Sequence, residues 1–104
     1  MYNIEYSTEF ETWINGQSLK IRAQVLARLS LIRLHGYFGD AKKIDKHVAE
    51  LRWKNGRRVY FATIQKASGS EKAILLLLAG NKNGQSKDIS KARNILVRIC
   101  EGQL

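Results

Sequence analysis

Five consecutive apolar residues, Ile74-Leu75-Leu76-Leu77-Leu78, run almost directly into the polar segment Gly80-Asn81-Lys82-Asn83-Gly84. A strand apolar at every position needs cover on both faces, which marks it as central rather than as an edge. Beyond the polar segment a helical period resumes, with Ile89, Ala92, Leu96 and Ile99 spaced 3, 4 and 3 apart. That helix is expected to start near Ser86, with Asp88 in its first turn, where a carboxylate favours the helix N-terminus. A buried strand that empties into a polar loop holds side chains on a rigid support. The end of this strand is therefore the first place to look for function.

The rest of the chain supplies the cover. Tyr2 to Tyr6 alternates apolar and polar residues and predicts a strand with one buried face. Thr8 and Glu11 have capping-box spacing, so a helix is expected from about Glu9, with Phe10, Trp13 and Ile14 as its apolar face and Gly16 as its stop. Ser18 is placed to cap a longer helix, whose Ile21, Val25, Leu29 and Ile32 form a stripe, helped by Leu26, before Gly36. Residues 36–47 show no periodicity and read as a basic loop. Val48 to Lys54 and Arg57 to Lys66 flank Asn55-Gly56, a strong hairpin signal. With a two-residue turn, Trp53 faces Arg58 and Leu51 faces Tyr60 on one side, while Lys54 faces Arg57 and Arg52 faces Val59 on the other. Ala67 to Ser70 reads as the next turn. The expected order is β-α-α-β-β-β-α, an α+β layered domain with a mainly antiparallel sheet.

At 104 residues the chain is expected to form one domain. Its balance is strongly basic, 18 Lys and Arg against 9 Asp and Glu, net +9. A surface of that sign attracts polyanions: nucleic acid, an anionic membrane or an acidic protein. The N-terminus lacks the basic region and apolar run of a signal peptide, and the longest apolar stretch, Ala73 to Ala79, is too short to span a bilayer. A cytoplasmic location without membrane attachment is the expectation. One cysteine, Cys100, excludes an internal disulfide and any multi-cysteine metal site, and is expected to be a quiet, half-buried thiol.

No phosphate-binding loop, HExxH, CxxC or nucleophile elbow is present. No metal or cofactor is expected. His35 closes the second helix, where a cation suits the dipole. His47 beside the basic loop is a candidate acid or base, and equally a strand cap. The stronger signal is a set of cations: Lys42, Lys43, Lys46, Arg52, Lys54, Arg57, Arg58, Lys82 and Lys87. Each alone reads as a solvated charge. Together, along a hairpin and the adjoining strand end, they suggest a phosphate-tracking face, with Trp53, Tyr60 and Tyr37 as stacking surfaces. Tyr60 and Phe61 are expected mostly to pack.

Several segments in order resemble the RelE/ParE toxin superfamily, nearest its phage-associated addiction module killer, or HigB-like, branch. They are Glu50-Leu51-Arg52, Arg58-Val59-Tyr60-Phe61, Leu76-Leu77-Leu78 followed by Gly80, and Lys82 with Gln85, Asp88, Ile89 and Ala92; the Phe10 and Trp13 helix and Gly39-Asp40 also fit. The resemblance implies a microbial-ribonuclease-like fold and the toxin of a type II toxin–antitoxin system. Many relatives are mRNA interferases, metal-independent endoribonucleases acting on the ribosome; others inhibit DNA gyrase. In the nucleases the 2′-hydroxyl of the message attacks the adjacent phosphate, a base or local electrostatics favours that oxyanion, and cations steady the transition state. Carried over residue by residue, the family's third-strand arginine falls on Arg58 and its basic residue after the last central strand on Lys82. Arg52, Lys54, Arg57, Lys87, Lys43 and Lys46 would then hold RNA backbone. The chain departs from the nuclease pattern at Val48 and Glu50, where lysines are usual, and at Asp88, where a tyrosine is usual; His47, Glu50 and Asp88 are the candidate stand-ins for the acid and base. The implied partners are the ribosome with its mRNA and a cognate antitoxin that carries the helix-turn-helix DNA-binding function. A catalytically inactive domain that binds RNA or antitoxin is the remaining reading.

Overall fold

A computed structural model describes residues 2–65 and 72–102. Strand β1 (Asn3–Tyr6) leads to helices α1 (Thr8–Asn15) and α2 (Leu19–His35). Strands β2 (Ala41–Lys43), β3 (Ala49–Arg52), β4 (Arg57–Gln65) and β5 (Lys72–Asn81) follow, then a 3₁₀ turn (Lys82–Gly84) and α3 (Gln85–Gly102). The five strands make one sheet in the order β1-β5-β4-β3-β2. It is mixed: β1 runs parallel to β5, and the other neighbours are antiparallel. The architecture is α+β, with helices on both sheet faces.

The apolar run does what its composition requires. Ala73 to Leu77 are buried, and β5 lies between β1 and β4. Ile74 and Leu76 join Phe10, Ile14, Val25, Leu29 and Ile32 in a core under α1 and α2, while Leu75 and Leu77 join Tyr60, Ala92 and Ile95 in a second core under α3. A register shift between Tyr60 and Phe61, which pair with Leu78 and Leu76, leaves Leu77 as an extra residue in β5. Leu77 and Leu78 therefore both serve the α3 core, as a bulge permits.

Five expectations need correction. The cap of α1 is Ser7, one residue earlier than Thr8: its hydroxyl accepts from the Phe10 N–H at 3.0 Å and donates to the Leu77 carbonyl at 2.6 Å. Thr8 is already helical, and its hydroxyl donates to Glu9. The basic loop contains β2, whose three exposed residues carry no burial pattern to betray a strand. α3 begins at Gln85, in keeping with the start expected near Ser86, and a 3₁₀ turn capped by Asn81 leads into it. Leu26 is 43% exposed and Cys100 is exposed, so neither is part of a core.

The fifth correction matters most. The β3–β4 loop has three residues rather than two. Gly56 N–H bonds the Trp53 carbonyl at 3.0 Å, Trp53 N–H bonds the Arg57 carbonyl at 3.0 Å, and Gly56 takes the left-handed φ of 97° that closes such a loop. Arg52 therefore pairs with Arg58, Leu51 with Val59 and Glu50 with Tyr60. A slip of one residue inverts the faces. Leu51 and Val59 go under α1 and α2, while Tyr60 goes under α3. The turn expected at Ala67 to Ser70 lies outside the described residues.

Candidate functional site

The inverted register collects a polar cluster on the α3 face at the C-terminal end of β5. Arg52, Arg58 and Gly80 form one cross-strand row, and Lys42, Glu50, Tyr60 and Leu78 the next. Glu50 is 1% exposed, a charge that needs partners to be tolerated there. It has two. The Gln85 side-chain amide, at the start of α3, donates to both carboxylate oxygens at 3.0 and 2.9 Å. The Arg58 Nε stands 3.9 Å from Glu50 Oε2. Arg58 is itself largely enclosed, its side chain 11% exposed, and its Nη1 donates to the Arg57 carbonyl at 3.0 Å and the Trp53 carbonyl at 3.4 Å.

Around this pair the cluster is under-bonded. The Arg58 Nε and the Tyr60 hydroxyl are buried without a hydrogen-bond partner. Burial, then the Glu50 and Asp88 carboxylates, push the Tyr60 hydroxyl up to about 12, so it stays protonated throughout the physiological range. Asp88, one turn into α3, turns back over β5: a Cβ on Gly80 would lie 2.1 Å from its Oδ2. Burial raises the Asp88 pKa, opposed by Lys91. Asp88 thus brings a carboxylate down onto the strand end at Gly80, the residue paired with Arg58.

Lys82 meets the same end of the sheet from outside. Its N–H bonds the Gly56 carbonyl at 2.8 Å, and a Cβ on Gly56 would lie 3.5 Å from its Cγ and Cδ. The hairpin tip, carrying exposed Lys54, is tied to the end of β5. Lys87 is exposed near the start of α3, and Arg52 lies beside Arg58, its Nε 4.0 Å from Asp40.

Other expected members lie elsewhere. Arg57 projects to the opposite face, where its guanidinium sits 5.9 Å from the Trp53 ring and reaches Gln24 at 3.4 Å. Trp53 also carries Arg28 at 4.4 Å, so the ring is committed to these two cations. His47 precedes β3 by two residues, five positions along the strand from Arg52, about 16 Å at the usual rise. With Lys43 and Lys46 it lines a separate depression of about 320 Å³. Its N–H bonds Asp45 Oδ1 at 2.8 Å as part of an Asx turn. The proposed RNA-binding cations therefore fall into three groups, not one.

The sequence marks Tyr60 only as a stacking or packing ring and Gln85 only among the residues of the family resemblance; neither is expected from it in a polar cluster with Glu50 or Arg58. The alternation of Glu50 with Arg52, and of Arg58 with Tyr60, carried the signal; the loop length needed to align the two pairs did not. Among the described residues no cluster of His, Cys, Asp and Glu is arranged to hold a metal ion, and no helix is long and apolar enough to cross a membrane.

No family model matches the sequence. A solved structure, that of the conserved hypothetical protein HP0892 from Helicobacter pylori, aligns over 80% of this chain and 97% of its own at 21% identity and a TM-score of 0.48. An uncharacterized protein of Haemophilus influenzae is 31% identical over 93 residues, which span 86% of this chain and 88% of that protein. At that identity and coverage, the chain belongs to the same family as the Haemophilus influenzae protein.

Proposed function

We propose that this chain is the toxin of a type II toxin–antitoxin pair, a RelE/ParE-like protein that inhibits translation by cutting mRNA on the ribosome. The observation that carries this reading is the meeting of Arg58 and Lys82 at one end of the sheet: Arg58 pairs with Gly80, and Lys82 is bonded to the hairpin tip at Gly56. In this reading Arg58 and Lys82 stabilise charge on the scissile phosphate, and Lys54, Arg52 and Lys87 hold the flanking backbone. Asp88 is the proton acceptor that fits, since its carboxylate lies over the strand end at Gly80, the residue paired with Arg58. A net charge of +9 suits docking on ribosomal RNA. The cognate antitoxin is the neutralising partner, and the cytoplasm is the compartment in which both act.

Glu50 favours a second reading. It places a buried carboxylate where nuclease relatives carry lysine, so Arg58 is partly neutralised. That suits a ParE-like inhibitor of gyrase that binds protein rather than cutting RNA. Induced expression followed by mapping of mRNA 5′ ends on translating ribosomes separates the two. New codon-positioned ends within minutes are expected. Growth arrest with intact messages and altered plasmid supercoiling would replace the nuclease reading with the gyrase one. A chain that neither arrests growth nor cuts messages is not a toxin, leaving an inactive RNA- or antitoxin-binding domain.

A further inference from the structure

The depression beside His47 is built on the opposite side of the sheet from the Arg58 cluster. Lys43, Ala49 and Phe61 form one cross-strand row. Ala49 and Phe61 pack in the core under α1 and α2, so Lys43 rises on that face, and Thr63, two residues after Phe61, shares it. Asp45, Lys46 and His47 of the β2–β3 loop close the rim around about 320 Å³. The loop is held in shape. Asp45 Oδ1 accepts from the His47 and Val48 N–H groups, both at 2.8 Å. The Val48 carbonyl accepts from the Ile44 and Asp45 N–H groups at 2.9 and 3.1 Å. Arg93 of α3 donates to the other oxygen, Asp45 Oδ2, at 2.6 Å.

Asp45 is the one carboxylate lining the depression among the described residues, and both its oxygens are therefore committed elsewhere. Lys43 and Lys46 have no ion-pair partner among the described residues. Two uncompensated ammonium groups and an imidazole thus ring a partly apolar floor of Ala49 and Phe61. Valence and size identify the ligand. Two ammonium groups match a dianion, whereas a carboxylate or a phosphodiester carries a single charge. Lysine binds phosphate as a point charge, and the imidazole and the Thr63 hydroxyl can add directed hydrogen bonds. The floor suits a small organic body, and the volume lies at the lower end for ligand sites. We infer that this depression binds the phosphate monoester of a small molecule, of about the size of a nucleoside monophosphate. The inference stands whether or not the chain cuts RNA, because Arg52 lies at the other end of β3, about 16 Å from His47.

The test records amide spectra of the full chain at fixed ionic strength as adenosine monophosphate is added. Saturable shifts are expected on the β2–β3 loop and on Phe61 to Thr63. Lys43→Ala and Lys46→Ala, both exposed, should each weaken binding at least about tenfold with melting temperature unchanged, the loss expected for one charged contact. Adenosine, which lacks the anion, should not bind, and the diester adenylyl-adenosine should bind at least about tenfold more weakly. Inorganic phosphate should shift the same residues at lower affinity, and added salt should weaken both anions. Equal affinity for the diester would make this a nucleic-acid face, and equal affinity for inorganic phosphate a free-anion site; either overturns the inference. So does a titration that does not saturate by about 10 mM, binding that survives loss of both lysines, or shifts confined to the Arg58 cluster.

Discussion

Asp88 lies so close over Gly80 that a methyl group on position 80 would stand 2.1 Å from Asp88 Oδ2 and 2.9 Å from its Cγ. Gly80 is thus the notch that lets α3 bring a carboxylate down onto the strand end. Gly80→Ala is expected to cost about 1–2 kcal/mol, because Asp88 must swing out of its site. Asp88→Ala in the same chain should recover much of that loss. Urea midpoints of the two single variants and the double variant check it, and strict additivity would mean that the two residues do not compete for the same space.

Glu50 and Arg58 should be coupled in the same sense. Glu50→Ala leaves an enclosed guanidinium without its carboxylate and is expected to destabilise by about 3 kcal/mol. Arg58→Ala exposes the converse problem, so the double variant should lose at least about 1 kcal/mol less than the sum of the singles. The consequence for function is practical. Any effect of Arg58→Ala on the proposed activity would be mixed with loosening of the fold, so the site is better probed with Lys82→Ala, whose side chain is exposed. Under the proposed toxin function, Lys82→Ala should relieve growth arrest by at least about tenfold, the effect expected from losing one transition-state contact, with melting temperature unchanged.

Arg28 is the pin of the α2 face. Its guanidinium donates to the carbonyls of Phe38, Asp40 and Arg52 and stacks on Trp53 at 4.4 Å. Burial lowers its pKa, yet it retains its charge at any ordinary pH. Arg28→Lys keeps the charge but not the fork, and is expected to cost about 2 kcal/mol and to shift the Trp emission. Denaturation followed by fluorescence reads both.

Acid should loosen the attachment of α3. Its Arg93 bonds Asp45 at 2.6 Å, and its Arg98 holds Glu9 through both oxygens at 2.6 and 2.7 Å. Asp45 is lowered to about 2, by the His47 and Val48 N–H groups and then Arg93; Glu9 is lowered to about 2, chiefly by Arg98. Both folded values lie below the unfolded ones, near 4, so the stabilisation is present above about pH 4 and lost as pH falls toward 2. Asp45→Asn with Glu9→Gln should flatten the stability profile between those values. Because the pairs are exposed, added salt should shrink the difference.

Ser7 joins two elements with one hydroxyl, capping α1 and bonding Leu77 of β5. Ser7→Ala is expected to cost about 1–2 kcal/mol, more than a surface cap, because the Leu77 carbonyl is left without its donor. Thr8→Ala, at the position the capping-box spacing favours, should cost less than half as much in the same unfolding assay.

Much of this molecule was written locally. The apolar run of β5, the stripes of α1 and α2, the Ser18 cap and the Asn55-Gly56 turn each depend on residues a few positions apart, where period and turn chemistry act directly. The cations of the strand end could be named for the same reason. What local pattern does not contain is the alignment of one segment with another. Whether the loop after Trp53 has two residues or three is a small difference in backbone torsion, yet it decides whether Arg58 faces α2 or joins Glu50 under α3. Which end of the sheet receives His47, and whether Gly80 sits beneath Asp88, likewise depend on strand order and helix packing. The sequence by itself determined the strand, its cover and its charge. Tertiary structure alone decided which of those charges meet, because register and docking are set by long-range packing that no single segment encodes.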